Sequence, residues 1–170
     1  ELGANVAVTT DGTAPAMPFD LFRAARDTAL LQQAAANDPF ILPAGKLLAM
    51  ITIDAARAIG READLGTLEA GKLADITTIN MTSPHLMPRL MPIHQLMLYG
   101  NTGDVADVFV AGKALMLDRR VLTVSEADVF ECAQTASLEA IRRAGYERLL
   151  TPADNFWTGA QSNLSALREP

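Results

Sequence analysis

The chain has 170 residues, of which 49% are hydrophobic and 20% are charged. This composition is typical of a globular protein that buries a core of its own, and it argues against a disordered chain. The formal net charge is −6 and basic residues form no cluster. We therefore expect neither nucleic acid nor an anionic membrane surface as a partner.

The cysteine count and the first residues of the sequence bear on the compartment of the protein and on its full length. The single cysteine, Cys132, excludes an internal disulfide and fits a reducing compartment, so we expect a cytoplasmic protein. No apolar run reaches the length of a membrane span, and no signal peptide is visible. The first residue is Glu1 instead of Met, and strand-like sequence begins within five residues. We expect a piece of a longer protein, and a targeting segment upstream stays open.

The first predicted element is a short strand that ends in an acid and a glycine. Val6, Ala7 and Val8 are apolar in succession, which predicts a strand buried on both faces. Asp11 and Gly12 end it, and a helical pattern follows. A carboxylate at the tip of such a strand is where parallel α/β folds place their chemistry. The alternative is that Asp-Gly is a turn pair with no further role, which is the commoner explanation of this pattern.

Two helices are predicted next. Asp20 is a candidate N-cap for a helix that ends before residues 37–39, where Asn, Asp and Pro follow one another. A second helix is predicted to start near Pro43, and its apolar positions keep a spacing close to 3.6 residues as far as Gly60, a candidate C-terminal cap.

Beyond residue 61 the helical periodicity disappears. Strands are predicted at residues 74–80 and 93–99, and a hairpin at residues 107–117 around a two-residue Ala-Gly turn. Ser125 then caps a helix that ends near Gly145. Residues 155–170 are predicted to form a loosely ordered tail.

The remaining polar residues do not assemble an active site. His85 and His94 lack the spacing and further ligands of a zinc site, so we interpret them as structural or surface residues. Cys132 lies on the apolar face of a predicted helix and is expected to pack there. Asp20 and Asp54 are explained by a helix cap and a solvent-facing turn.

Four stretches together resemble the C-terminal part of a known family. Residues 10–12 look like the end of an eighth barrel strand, and residues 50–60 are similar to a final barrel helix. Residues 65–76 look like the start of an outer β-sandwich, and residues 108–113 resemble its closing hairpin. The family is the metal-dependent amidohydrolases, in the branch of cytosine deaminase, S-adenosylhomocysteine and methylthioadenosine deaminases and the triazine chlorohydrolases.

The resemblance implies an α/β fold, namely the C-terminal portion of a (β/α)8 barrel with part of an accessory β-sandwich and a C-terminal helix. Residues 1–60 would be the last barrel strand and its helices, residues 61–124 the sandwich segment, and residues 125–170 the C-terminal helix and tail. In the family a divalent metal, zinc or iron, activates the attacking water. Asp11 matches the strand-eight aspartate, which touches that metal and shuttles a proton, so the resemblance makes Asp11 the catalytic and metal-binding candidate.

The resemblance also implies that the other metal ligands, histidines of earlier strands, lie upstream of Glu1. We expect hydrolytic deamination or dehalogenation of an amino-substituted N-heterocycle such as an adenosine derivative, cytosine or a triazine. A cyclic-amide hydrolase of the same superfamily is one alternative. The other is a non-catalytic subunit or interaction module. The partners would be a small heterocyclic substrate and the missing N-terminal barrel segment or a partner chain, and homo-oligomerisation stays open.

Overall fold

The computed structural model describes residues 3–12 and 19–152. The linker at residues 13–18 and the tail at residues 153–170 lie outside the described residues. The chain divides into two compact units, Glu1–Thr123 and Val124–Pro170.

The first unit begins with an extended segment and not with the predicted strand. Residues 3–12 join no ladder with any described strand. Val8 is buried, but Val6 is 53% exposed, so the expectation of a strand buried on both faces is wrong for the described residues. The physical reason is that a strand needs at least one hydrogen-bonded neighbour, and the described strands pair only among themselves.

The first helix, α1 (Leu21–Ala36), has the predicted ends. The Arg23 amide donates to the Asp20 side chain over 2.9 Å, which satisfies one of the free amides of the first turn. Asn37 adopts the left-handed conformation at the C-cap, and its amide donates back to carbonyls of the last turn. Both local signals were sufficient to place the helix.

The predicted helix from Pro43 to Gly60 is two helices, α2 (Ala44–Met50) and α3 (Ile53–Ala58). The break falls at Ile51 and Thr52, inside a β-branched run. The Thr52 hydroxyl donates to the Leu48 carbonyl over 2.6 Å, a contact that competes with the helical ladder. Periodicity continued across the break, which is why the sequence pattern did not reveal it.

Residues 93–99 form a helix, so the expected strand there is wrong. The helix is α4 (Pro92–Tyr99), and Pro92 stands at its first position, where a missing N–H costs nothing. Met97 is fully buried against α1 and α2. This tertiary contact, which the local sequence does not contain, decides in favour of the helix.

Among the described residues, the sheet has four antiparallel strands in chain order: β1 (Ile76–Ile79), β2 (Val105–Val110), β3 (Lys113–Leu117) and β4 (Arg120–Val121). Ala111 and Gly112 both have positive φ, as the predicted two-residue hairpin turn requires. β1 pairs with β2 in the register Ile76 to Phe109, with an irregularity between Thr78 and Ile79. The strand at residues 74–80 and the hairpin are confirmed, whereas β4 was not predicted.

The core of this unit lies among the helices. Its buried members come from residues far apart in sequence: Val8, Ala25, Ala29, Leu47, Met50 and Met97. Val8 therefore attaches the extended segment to the helical core. Two short 3-10 turns, Pro84–Leu86 and Thr102–Asp104, connect the helices with the sheet.

The second unit contains α5 (Glu126–Ala144) and a short 3-10 turn at Glu147–Leu150. Ser125 accepts from the Asp128 amide and Gly145 caps the C-terminus in the left-handed conformation, both as predicted. Cys132 is exposed, so its expected packing is not found. Within the described residues, no helix combines the length and apolarity that crossing a bilayer demands.

Candidate active site at Asp11

Asp11 lies at the end of the extended segment in a strained turn. Its φ is +57°, which is uncommon for a residue with a side chain, although aspartate tolerates it better than most. The Gly12 amide donates to Asp11 Oδ1 over 2.7 Å, and the Asp11 amide donates to Thr9 Oγ1 over 3.4 Å. Among residues 3–12 and 19–152, nothing donates to Asp11 Oδ2. The side chain is exposed, so this oxygen is accessible to a ligand.

Two hydrogen bonds hold the segment that carries Asp11. The Val8 amide donates to the Met50 carbonyl over 3.1 Å, and the Asn5 Nδ2 group donates to the Asp54 carbonyl over 2.8 Å. Both acceptors flank the break between α2 and α3. The segment is thus fixed to the helical core although it belongs to no described sheet.

Asp54 belongs to a buried ion pair and does not lie in the solvent-facing turn that the sequence suggested. Only 3% of the residue is exposed. Lys46 Nζ lies 2.6 Å from Oδ2, and Arg57 donates to Oδ1 over 2.8 Å. The hydrogen bond from Lys46 is the main cause that lowers the pKa of the Asp54 carboxyl, and Arg57 adds to it against the opposing effect of burial. Both carboxylate oxygens are therefore occupied, and Asp54 serves the structure.

An apolar groove lies alongside the Asp11 segment. It has a volume of about 450 Å³ and is lined by residues 7–10 together with Phe19 before α1 and with residues of and beside α1 and α3, among them Leu21, Ala55 and Ile59. A second groove of about 850 Å³ runs between helices and sheet. Asp11 thus stands next to unfilled apolar space.

A second buried aspartate, Asp104, organises the junction between α4 and β2. His85 Nε2 lies 2.8 Å from Oδ2, Ser83 Oγ donates to Oδ1 over 2.8 Å, and the Asn101 amide donates to Oδ2 over 3.0 Å. Burial alone would raise the pKa of Asp104, but the hydrogen bonds from His85, Ser83 and Asn101 together lower it. This network confirms a structural role for His85.

The network also assigns the tautomer of His85. Asn101 Nδ2 lies 3.3 Å from the same Nε2 atom, while Asn101 Oδ1 accepts from the Gly103 amide over 2.7 Å. The orientation of the Asn101 amide is therefore fixed, with its donor toward the ring. The carboxylate of Asp104 favours a proton on Nε2, donated to Asp104, and the Asn101 Nδ2 group then donates nothing to the ring.

Lys72 has a structural role as well. Its ammonium donates to the Glu62 carbonyl over 2.7 Å and to Thr67 Oγ1 over 2.6 Å, and the side chain is largely buried. These bonds close the turn-rich passage that precedes β1.

The described residues hold no group of three or more candidate metal ligands. Asp11 could therefore contribute one oxygen ligand to a metal, and the other ligands would have to come from elsewhere. Asp54 and Asp104, which sequence reasoning did not single out as buried, have no oxygen left for a metal. The only sequence signal for Asp54 was its spacing of three residues from Arg57, which is common on exposed helix faces as well.

The sequence matches the model of the Amidohydrolase family over residues 1–115. The chain belongs to the amidohydrolase family. A 5′-deoxyadenosine deaminase of Methanosarcina acetivorans is 40% identical over 146 residues, covering 85% of this chain and 33% of the relative. A 5-methylthioadenosine/S-adenosylhomocysteine deaminase of Moorella thermoacetica is 39% identical over 128 residues, covering 75% and 30%. The chain thus spans about a third of the length of the curated relatives it matches.

Solved amidohydrolase structures agree with this assignment. An adenosine deaminase from Xanthomonas campestris, crystallised with bound zinc, superposes with a TM-score of 0.79 at 31% identity, over 82% of this chain and 32% of that one. The atrazine chlorohydrolase of Arthrobacter aurescens, complexed with zinc, gives a TM-score of 0.56 at 28% identity, over 68% and 26%. The resemblance seen in the sequence is confirmed, and the mixed helix and strand structure is an α/β part of an amidohydrolase fold.

Proposed function

We propose that this chain is part of a metal-dependent hydrolase that removes an exocyclic amino group from a nitrogen heterocycle. An adenosine-type nucleoside is the favoured substrate, because the two deaminases described above are named for adenosine-type substrates. The single observation that carries the proposal is Asp11, whose free oxygen stands at the end of an anchored segment. Dehalogenation of a triazine is the related reaction that the chlorohydrolase neighbour brings into consideration.

The chemistry of Asp11 fits a divalent metal such as zinc. An ionised carboxylate only accepts, and Asp11 Oδ1 is occupied by the Gly12 amide, so Oδ2 is the atom available for a cation. When bound, zinc lowers the pKa of a coordinated water toward neutrality and so supplies a nucleophile. Iron would serve the same purpose. The remaining ligands would be histidines from polypeptide outside this sequence.

Asp11 itself would move the proton. Deamination forms a carbon–oxygen bond at the ring carbon and breaks the bond from that carbon to the amino nitrogen. The attacking water loses a proton and the departing nitrogen gains one, and a carboxylate that faces both can accept the first and return it.

The architecture we propose follows the same correspondence. Residues 1–60 would close a (β/α)8 barrel, residues 61–124 would form part of a β-sandwich, and residues 125–170 would be a C-terminal helix and tail. The extended segment at residues 3–12 joins no described strand and the groove beside it is apolar, which is what the last strand of a barrel would show without its neighbouring strands. The remaining strands would come from an N-terminal barrel segment or from a partner chain. The exposed thiol of Cys132 favours a reducing, cytoplasmic location.

Asp11→Asn tests the proposal in the active enzyme that contains this sequence. We expect turnover of adenosine-type nucleosides to fall by about 10²–10⁴-fold, because the proton acceptor is lost. Asp38→Asn is the matched control, since Asp38 is also exposed and also accepts one backbone amide, from Phe40 over 2.9 Å. Full turnover in Asp11→Asn with normal metal content would refute the role of Asp11.

A substrate panel decides between the reaction classes. Adenosine derivatives, cytosine and a chlorotriazine test removal of an exocyclic group, and a six-membered cyclic amide tests ring opening. Turnover of the cyclic amide alone would reassign the protein to that branch of the superfamily. No turnover of any panel member, by an assembly with normal metal content, would support a non-catalytic subunit.

A further inference from the structure

The break between α2 and α3 has a consequence for the extended segment. In an uninterrupted helix the Met50 carbonyl would accept from the amide four residues later. Here the chain turns at Ile51 and Thr52, and the Met50 carbonyl accepts from the Val8 amide over 3.1 Å. The break therefore provides a backbone acceptor for the segment that leads to Asp11.

A second attachment lies three residues earlier along the segment. Asn5 Nδ2 donates to the Asp54 carbonyl over 2.8 Å, across 49 residues of sequence. Asp54 cannot shift easily, because its carboxylate is held by Lys46 on α2 and Arg57 on α3. Asn5 thus donates to the backbone carbonyl of a residue whose side chain is fixed to both helices.

Two attachments define a direction as well as a position. Val8 fixes one point of the segment and Asn5 fixes another, so the chain cannot pivot about Val8. Asp11 lies only three positions after Val8, a span of at most about 11 Å. The turn at Asp11 is held locally by Gly12 and Thr9, so a rotation of the segment would carry the carboxylate with it.

We infer that Asn5 is a positioning residue for Asp11, acting through its hydrogen bond to the Asp54 carbonyl. This inference rests on the proposed function, because it takes Asp11 as the residue whose placement matters. Catalytic groups have to be held within about 0.5 Å of their productive position, and outer hydrogen bonds supply that precision. The amide of Asn5 does not itself reach substrate or metal in this account.

The test is Asn5→Ala and Asn5→Asp in the active enzyme, with Asn80→Ala as control. Asn5→Asp keeps the shape of the side chain and removes its donor. Asn80, which follows β1, is exposed, and among the described residues its side chain hydrogen-bonds only to Thr82. The readouts are kcat per bound metal, KM and the midpoint of thermal unfolding, because a merely structural bond would change the last and leave kcat per bound metal alone.

We expect both Asn5 variants to lose about 10–100-fold in kcat per bound metal, with KM nearly unchanged and Asn80→Ala equal to wild type. A lowered unfolding midpoint with unchanged kcat per bound metal, or no change at all, would overturn the inference. If Asp11→Asn is inactive in the same assay, such a result refutes only the role of Asn5. If Asp11→Asn keeps full turnover, the proposed function has failed instead.

Discussion

The segment at residues 5–12 and the junction at residues 83–104 each present an aspartate, and their surroundings are opposite. Asp104 is 2% exposed and receives hydrogen bonds on both oxygens from three different residues. Asp11 is exposed, and one backbone amide is its single donor among the described residues. A carboxylate whose oxygens are all occupied stabilises a fold, whereas one with a free oxygen can bind something else. This difference supports the proposal that Asp104 is a structural acid and Asp11 a functional one.

Metal-dependent stability should show the largest effect of this difference. With zinc at about 1,000 times its dissociation constant, binding raises the free energy of unfolding by about 4 kcal/mol. We expect this increment in the wild-type enzyme and in Asp104→Asn, and a much smaller one in Asp11→Asn. Urea unfolding with zinc and with chelator measures it. An increment that vanishes in Asp104→Asn and survives in Asp11→Asn would reverse the two roles.

Loss of the Asp104 carboxylate should come next in size. Asp104→Asn leaves a buried donor without an acceptor, which costs about 1–3 kcal/mol of unfolding free energy. Asp104 has no proposed role in binding metal or substrate, so its loss should affect stability alone. We therefore expect kcat per bound metal to stay within about twofold of wild type. A full loss of turnover in a folded Asp104→Asn enzyme would contradict this separation.

The pH dependence of stability should follow the same network with a smaller effect. The hydrogen bonds from His85, Ser83 and Asn101 lower the pKa of Asp104 in the folded state. Their stabilisation is therefore fully present above the unfolded pKa, near pH 4, and is lost as the pH falls through the lower folded value. Asp54 contributes with the same sign. The free energy of unfolding, measured with urea between pH 6 and pH 3, should fall less steeply with decreasing pH in Asp104→Asn than in wild type. Equal pH dependence in the two proteins would count against the network.

Ser83→Ala should have the smallest effect. It removes one donor of the Asp104 network and leaves those of His85 and Asn101 in place. We expect a loss of about 0.5–1.5 kcal/mol, the usual contribution of one hydrogen bond. Thr82→Ala is the neighbouring control, since Thr82 bonds only to Asn80 within its own turn. A Ser83→Ala effect larger than that of Asp104→Asn would mean that Ser83 has a partner beyond Asp104.

The sequence was sufficient wherever the deciding signal was local. Asp20 and Ser125 predicted the starts of α1 and α5 because an N-cap needs only its own first turn. The Ala-Gly pair predicted the hairpin because its two positive φ angles set the turn. The α4 helix and the break at Thr52 were missed because buried Met97 and the carbonyl acceptors at the break involve residues distant in sequence.

The residues of the candidate site could likewise be predicted only where the signal was local. Asp11 was found from a strand-like run that ends in Asp-Gly, and the resemblance to a family gave it a role. Asp54 and Asp104 were not recognised as buried, since their partners lie up to 21 residues away and their neighbours in sequence are ordinary helix and turn residues. The partner of Asn5 lies 49 residues away and only the fold brings it close.

The most direct test of the account is the position of the metal relative to Asp11. Anomalous diffraction at the zinc absorption edge, from crystals of the active enzyme that contains this sequence, locates the ion without relying on activity. We predict one zinc within coordination distance of Asp11 Oδ2, about 2.0–2.2 Å, and none at Asp54 or Asp104. A zinc site fully coordinated by other residues, with Asp11 pointing away into solvent, would contradict the account.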